Sequence, residues 1–301
     1  CNEAKKIILE KMHFPQTLVS MAVEPETNAE RERLELALAT IAREDPTFRY
    51  AYDEETGQLI VSGMGELHLE IIANRLVNEF KVRMRTGEPR VSYRESIRQK
   101  AEEWGEFAQI LGGKPHFGRV RLSLEPDRSR LEPVFSNEVR DQMLSRELLK
   151  AIEEGALSAA QSGVLAAYPS INLRITLTGF EYREGETTAP ACMAAASAAY
   201  RAAFLAGEPV LLEPLMAFEI TTPEEYLGAI INDLNRRRAT IGEMLEGHAS
   251  SRIIRGTVPL SEMFGYATAV RSLSQGRASY VLEAHTYQEI PEDRAKKILL
   301  V

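Results

Sequence analysis

The stretch Gly112-Gly113-Lys114-Pro115-His116-Phe117-Gly118 sets a cation, an imidazole and an aromatic ring among glycines that permit a tight turn. Such groups meet phosphate oxygens and stack on bases. A plain hairpin turn has the same composition. Two other stretches offer related chemistry. Arg236-Arg237-Arg238 supplies three guanidiniums suited to phosphate oxygens, although cations at a helix C-terminus also complement the dipole. Gln275-Gly276-Arg277 follows a helical pattern, where the glycine is equally a C-cap. Each signal is weak alone; together, in an acidic chain, they suggest local RNA-facing patches on a scaffold.

Enzyme chemistry finds little support. Gly112-Gly113-Lys114-Pro115 lacks the spacing and the hydroxyl residue of a phosphate-binding G-x-x-x-x-G-K-[ST] loop. No HExxH pair and no GxSxG elbow occurs. His13, His68, His116, His248 and His285 are far apart, and each reads first as a packing or surface residue. The pairs Glu102-Glu103, Glu153-Glu154 and Glu224-Glu225 fit solvated surfaces or helix starts. An acylphosphatase-type anion cradle needs an arginine between first strand and helix, and here Arg31 falls inside the helix. Cys1 and Cys192 provide neither a disulfide framework nor a cysteine zinc site. No catalytic residue, cofactor or metal site is therefore expected in this chain.

Composition agrees. The 301 residues amount to about two domains by the usual ~150-residue prior. With 44% hydrophobic and 27% charged residues, the chain is ordinary globular protein, not a disordered, collagen-like or disulfide-stapled one. No apolar run approaches the ~18 residues of a membrane span. A net charge of -8 excludes a basic field over the whole surface but not local basic patches. The sparse cysteines make a reducing, cytoplasmic setting the default. Cys1 stands where Met would be, and no signal-peptide pattern follows, so the chain reads as a piece of a longer protein.

The elements that must carry these residues follow from periodicity. Leu18–Glu24 reads as a strand, and Ala29–Arg43 as a helix striped by Leu34, Leu36, Leu38 and Ile41 and stopped by Asp45-Pro46. Phe48–Tyr52 and Leu59–Ser62 read as a hairpin. After Gly63-Met64-Gly65 comes a helix with Leu67, Ile71, Leu76 and Phe80 near one face, then a strand at Val82 and Met84. That order is a split βαβ, ferredoxin-like unit. It returns with a strand at Val210–Thr221 and a helix opened by Thr222 as N-cap, Pro223 at N1 and Glu225 at N3. Tyr226, Ile230, Ile231 and Leu234 stripe this helix. Strands at Ala239–Leu245 and Ile253–Val258, a helix at Leu260–Ser274 and a strand at Ser279–Leu282 complete the copy. Between the copies lie strands at Val91–Ile97, Trp104–Leu111, Gly118–Leu124 and Ile171–Tyr182, a long helix at Leu144–Gln161 and an Ala-rich helix at Ala191–Ala206. The class is α+β and multidomain.

Further stretches carry a resemblance. They are Ser62-Gly63-Met64-Gly65-Glu66-Leu67-His68-Leu69-Glu70, Ser162-Gly163-Val164-Leu165-Ala166 with Tyr168-Pro169, and Leu211-Leu212-Glu213-Pro214. Thr221-Thr222-Pro223-Glu224, Asp233-Leu234-Asn235 with Arg237-Arg238, Met263-Phe264-Gly265-Tyr266-Ala267-Thr268 and Gln275-Gly276-Arg277 follow in order. The chain resembles the C-terminal half of the bacterial elongation factor G family of translational GTPases from about Phe14 to Pro291. At Ser162 the family more often has Asn. The resemblance implies a linker at 1–13 and a ferredoxin-like domain at 14–88. A ribosomal-protein-S5-like α+β domain at 89–207, a second ferredoxin-like domain at 208–291 and a tail at 292–301 would follow. It implies a parent that binds GTP with Mg in an upstream domain, so that this portion itself is not an enzyme.

The same resemblance implies a monomer promoting GTP-dependent translocation, with the ribosome as partner and no membrane association. The middle domain would reach the decoding region beside tRNA and mRNA through two loops, here Gly112–Gly118 and Tyr182–Thr188. The last domain would face the sarcin–ricin region of large-subunit rRNA, and the first would lie near small-subunit protein S12. The RNA- and ribosome-binding candidates are Gly112, Gly113, Lys114, His116, Phe117, Arg183, Glu184, Arg237, Arg238, Gln275 and Arg277. In the loops the family commonly has Gly-Gly-Arg-Gly-Gln-Tyr-Gly and Ser-Tyr-His. Here Lys114 keeps a charge without the planar fork, Pro115 stiffens the turn, and Arg183 stands for the His. These departures give an alternative, a specialised paralogue acting in ribosome recycling or another step; a further alternative is a ribosomal-protection-type factor, whose tip is expected to differ more.

Overall fold

Strand β1 (Val19–Pro25), helix α1 (Asn28–Glu44), strands β2 (Arg49–Tyr52) and β3 (Leu59–Gly63), helix α2 (Glu66–Asn78) and strand β4 (Met84–Gly87) open the fold. The computed structural model describes residues 19–53, 56–64, 66–89, 91–247 and 250–299, with backbone alone for Val19, Glu66, Leu67 and Leu111. The expected linker 1–13, Leu18, Gly65, His13 and His248 lie outside the described residues. The four strands form an antiparallel sheet in the order β2-β3-β1-β4, as a split βαβ unit requires. The Thr27 hydroxyl caps α1 by accepting the Glu30 N–H at 3.3 Å. Asp45 is the C-cap, and Pro46 cannot continue the helix.

The apolar stripes differ from expectation at two positions. Leu34, Ala37, Leu38 and Ile41 of α1 are buried, but Leu36 is exposed. Residues two apart on a helix do not share a face, so Leu36 cannot join Leu34 and Leu38. In α2 the buried set is Leu69, Ile72 and Leu76, with Ile71 exposed for the same reason. Phe80 lies beyond the end of α2 and packs on this core only partly buried.

The middle module consists of β5 (Arg94–Ile97), β6 (Ala101–Leu111), β7 (Lys114–Pro126), β8 (Val134–Asn137), α3 (Arg146–Ser162), β9 (Leu173–Glu181) and α4 (Ala189–Ala206). Its sheet has the order β6-β7-β9-β8, with β8 parallel to β9. The four-residue β8 has too short a pattern to read from sequence. Val120, Leu122, Leu124, Leu173, Ile175 and Leu177 meet Ile152 of α3 and Tyr200 and Phe204 of α4 in one core. The Ala-rich surface of α4 lies directly on the strands. A Cβ at Gly105 would stand 2.1 Å from the Ala195 carbonyl oxygen, and one at Gly118 would stand 2.4 Å from the Ala191 backbone. Glycine at these two positions is what lets helix and sheet backbones touch.

The last elements are β10 (Pro209–Pro223), α5 (Leu227–Arg236), β11 (Thr240–Glu246), β12 (Ser251–Pro259), α6 (Tyr266–Leu273), β13 (Ser279–Glu289) and α7 (Glu292–Leu299). Their sheet order, β11-β12-β10-β13, repeats that of the first sheet, and β5 adds a fifth strand beside β10. Thr222 is not a helix N-cap. It is fully buried, its hydroxyl donates to the Pro223 carbonyl at 3.3 Å, and a 3-10 turn at Glu224–Tyr226 precedes α5. The expected helix Leu260–Ser274 is likewise a 3-10 turn at Leu260–Glu262, then Gly265 with φ of 70°, then α6. A left-handed residue breaks the helical run. Strand β13 continues to Glu289 instead of ending at Leu282, and α7 occupies most of the expected tail. The chain divides into two compact units, one up to Val91 with Met216–His285 and one of Ser92–Leu215 with the residues from Thr286 onward.

Candidate nucleic-acid interface

Strands β6 and β7 pair down to Leu111 opposite Lys114, leaving Gly112 and Gly113 as a two-residue turn. Their φ values are 60° and 78°, the left-handed pair that a type I′ hairpin needs. The turn is therefore Gly112-Gly113, and Lys114–Phe117, expected as loop, is strand. Alternation along a strand sends neighbouring side chains to opposite faces. Lys114 and His116 share one face with the helices, and Phe117 points to the other. His116 Nδ1 lies 3.1 Å from Oγ1 of Thr188, the N-cap residue of α4. Phe117 is only 1% exposed, so it is not available to stack on a base. The Arg183 guanidinium covers it, 3.6 Å from the ring centroid.

The second expected loop is fastened to this strand. The Phe117 N–H donates to the Glu186 carbonyl at 2.8 Å, and the Thr188 N–H donates to the Phe117 carbonyl at 3.3 Å. The Arg183 N–H donates to the Thr187 hydroxyl at 2.8 Å. The Arg183 side chain is 54% exposed, and its nearest carboxylate, Glu186, is 3.8 Å away. Lys114 and Glu184 are exposed. Farther along the same face the cations are engaged. Arg119 pairs with Glu181 at 2.6 Å and Glu106 at 3.3 Å, and Arg121 pairs with Glu102 at 3.3 Å. Both guanidiniums lie over Trp104, at 4.8 and 5.3 Å from its ring. Sequence reading missed Thr187 and this Trp104 ladder; the single Trp on an alternating strand was the available signal.

The remaining candidates are differently placed. Arg237 bonds Asp233 at 2.7 Å and the Glu262 carbonyl, and lies 5.0 Å over the Tyr266 ring. Arg238, with φ of 59°, bonds Glu262 at 3.0 Å. Neither is a free guanidinium, because both tie the end of α5 to the turn before α6. Arg236 is the outward member of the run. Gln275 and Gly276 have φ of 51° and 77°, and the Gly276 N–H closes α6 on the Arg271 carbonyl at 2.8 Å. Arg277 lies over Tyr226 at 4.7 Å and pairs with Glu225 at 2.5 Å. Its hydrogen bond to the Tyr226 hydroxyl raises its pKa above the ordinary value. The structure thus brings Lys114, His116, Phe117, Arg183 and Glu184 to one end of the middle sheet. Arg237, Arg238, Gln275 and Arg277 belong to the last sheet's helices.

Two other motif stretches are fasteners. The buried carboxylate of Glu95 accepts the N–H groups of Val164, Leu165, Ala166 and Tyr168 at 2.6, 3.0, 2.8 and 3.2 Å. His68 Nδ1 accepts the Met64 N–H at 3.1 Å, so its Nε2 carries the proton toward Asp45 at 2.7 Å. Among the described residues no group of three or more His, Cys, Asp or Glu could hold a metal ion, and no helix is long and apolar enough to cross a membrane.

Comparison with known proteins places this architecture. Three family models match in succession: Elongation Factor G, domain III, over residues 14–88; Elongation factor G, domain IV, over 89–208; and Elongation factor G C-terminus over 210–298. Elongation factor G of Thermotoga petrophila is 46% identical over 303 aligned residues, covering 100% of this chain and 44% of the relative. That of Thermotoga maritima is also 46% identical over the same share. A crystal structure of a protein from Thermus thermophilus superposes with a TM-score of 0.84 at 32% identity, covering 98% of this chain and 45% of that one. The chain therefore spans less than half the length of the relatives it matches. With three consecutive regions matched in order over nearly all its residues, the chain belongs to the elongation factor G family, of which it carries the domain III, domain IV and C-terminal regions.

Proposed function

We propose that this chain is the ribosome-binding C-terminal portion of an elongation factor G-like translational GTPase that promotes GTP-dependent movement of tRNA and mRNA. The observation that carries this reading is the end of the middle sheet. There a half-exposed Arg183 and an exposed Lys114 project from elements held rigid by pairing and stacking. A preorganised planar cation suits a phosphate or ribose of RNA. In this reading the Gly112–Gly118 and Tyr182–Thr188 segments meet tRNA and mRNA in the decoding region. The last ferredoxin-like module faces the sarcin–ricin rRNA, and the first lies near protein S12. The factor acts as a cytoplasmic monomer.

The residues present do not fit the family's GTP and Mg. The sequence has no phosphate-binding loop, and the described residues hold no carboxylate cluster for a metal. The nucleotide belongs to a part of the parent outside this chain. A second reading, a specialised paralogue acting in recycling, is favoured by Pro115 and Arg183, which depart from the family pattern. The test uses the full-length parent on pre-translocation ribosomes with GTP, followed by toeprinting and fast kinetics. Rapid movement by one codon supports the translocase. Binding and GTP turnover without movement transfers the reading to the paralogue, with subunit splitting by recycling factor as its own assay.

A further inference from the structure

On the middle sheet the face away from α3 and α4 is exposed along β6 and mostly polar. It carries Glu102, Trp104 and Glu106 on β6 and Arg119, Arg121 and Ser123 on β7. Phe117 lies on this face too, yet it is buried and belongs to none of the apolar core clusters. A large aromatic is not ordinarily buried on an open sheet face unless something covers it. The cover is the segment 182–188, through the Arg183 guanidinium at 3.6 Å and the backbone bonds from Phe117 to Glu186 and from Thr188 to Phe117.

Arg183 also stands farther from a carboxylate than its neighbours on this face. Arg119 donates to Glu181 at 2.6 Å, and Arg121 Nε lies 3.3 Å from a Glu102 carboxylate oxygen without a hydrogen bond. The Arg183 side chain makes no hydrogen bond among the described residues; its one ion pair, to Glu186 at 3.8 Å, is longer than a hydrogen bond. A guanidinium stacked flat on a ring keeps its in-plane donors open at the edges. The contact holds the cation over the ring without consuming its hydrogen-bonding capacity.

We propose that Phe117 is a positioning residue. Its ring is the platform that holds Arg183 with its donors open to a phosphate of a bound RNA strand, and Thr187 locks the same segment through the Arg183 N–H. This rests on the RNA-contacting role proposed above for the end of the middle sheet. Phe117 itself touches no RNA; it acts through Arg183.

The test compares Phe117→Tyr, Phe117→Leu, Arg183→Ala and the Phe117→Leu/Arg183→Ala double variant in the full-length protein, with melting curves checking the fold. The first readout is independent of the ribosome: modification of Arg183 by phenylglyoxal, followed by peptide mass spectrometry. Phe117→Leu is expected to raise Arg183 reactivity, and Phe117→Tyr, which keeps the ring, to leave it as in the parent. Unchanged reactivity in Phe117→Leu overturns the proposal. The second readout is single-round tRNA–mRNA movement. Phe117→Leu is expected to slow it by about 3- to 10-fold, and to slow the Arg183→Ala protein no further. An equal slowing on both backgrounds overturns the proposal, since Phe117 would then act without Arg183. If the parent moves no tRNA, the translocase reading fails while the labelling result still decides the role of Phe117. Should Phe117→Leu unfold the sheet, Thr187→Val takes its place, with the same rise in Arg183 reactivity expected and no rise counting against the proposal.

Discussion

Gly105 and Gly112 are both glycines of the β6–β7 hairpin, held by different constraints. A Cβ at Gly105 would strike the Ala195 carbonyl at 2.1 Å, whereas one at Gly112 meets nothing within 4 Å and bears only the positive φ of 60°. Gly105→Ala is expected to destabilise the protein by about 3 kcal/mol or more, because two backbones must separate. Gly112→Ala should cost only about 1–2 kcal/mol, from the left-handed backbone. Urea unfolding of the two variants checks the order, and equal losses would contradict the packing account. Glu95 is decided by acceptors. Glu95→Gln keeps the volume but turns an NH2 toward backbone N–H groups that need an acceptor. A loss of about 2–4 kcal/mol is expected in the same assay; parental stability would mean the cage is dispensable.

Helix ends are coupled through a side-chain hydrogen bond. Asp45 caps α1 and holds His68 of α2. Burial alone would raise the Asp45 carboxyl, but hydrogen bonds from Thr47 and His68 outweigh it and hold it below its ordinary value of 3.8. A carboxyl lowered by folding contributes stability that is full above the unfolded value and lost as pH falls through the folded one. Asp45→Asn should therefore be less stable than the parent above pH ~4 and converge with it near pH ~2, by about 1 kcal/mol at this partly exposed site. Denaturant titrations across that range measure it; a constant gap at all pH values would exclude the linkage. The docking of α4 has its own reporter. Cys192 is fully buried, and burial pushes its thiol up to about 11. About 0.1% would be thiolate at pH ~8. Native protein should leave Cys192 unlabelled by a thiol reagent for as long as α4 stays on the sheet, and denatured protein should label at once. Rapid native labelling would mean that α4 opens.

The whole chain carries a net charge of -8, so its proposed hold on RNA has to be local. Most cations among the candidate residues are neutralised: Arg237 by Asp233, Arg238 by Glu262 and Arg277 by Glu225. Arg183 is the candidate arginine whose side chain is left without a hydrogen bond among the described residues. Arg183→Ala in the full-length parent is expected to slow single-round movement by about tenfold while ribosome affinity changes by less than about threefold. The salt slope of binding should fall by about one. Rate and affinity falling together by the same factor would instead make Arg183 a general tether.

The sequence by itself determined the element order of both split βαβ units, because apolar periods of two and 3.6 are local properties. It also pointed to Gly112-Gly113 and Arg183 as a place to look. It misjudged what depends on distant partners. Leu36 and Ile71 were put on buried stripes although helix geometry turns them outward. Thr222 looked like a cap although it lies buried within β10. Arg237, Arg238 and Phe117 looked exposed and available, and only folding brought Glu262, Tyr266 and Arg183 against them. Glu95 read as one charge in a strand, because the four N–H groups that justify burying it lie some seventy residues away. Periodicity reports a residue's neighbours along the chain, while availability for a ligand is set by contacts across it, and only the tertiary structure supplies those.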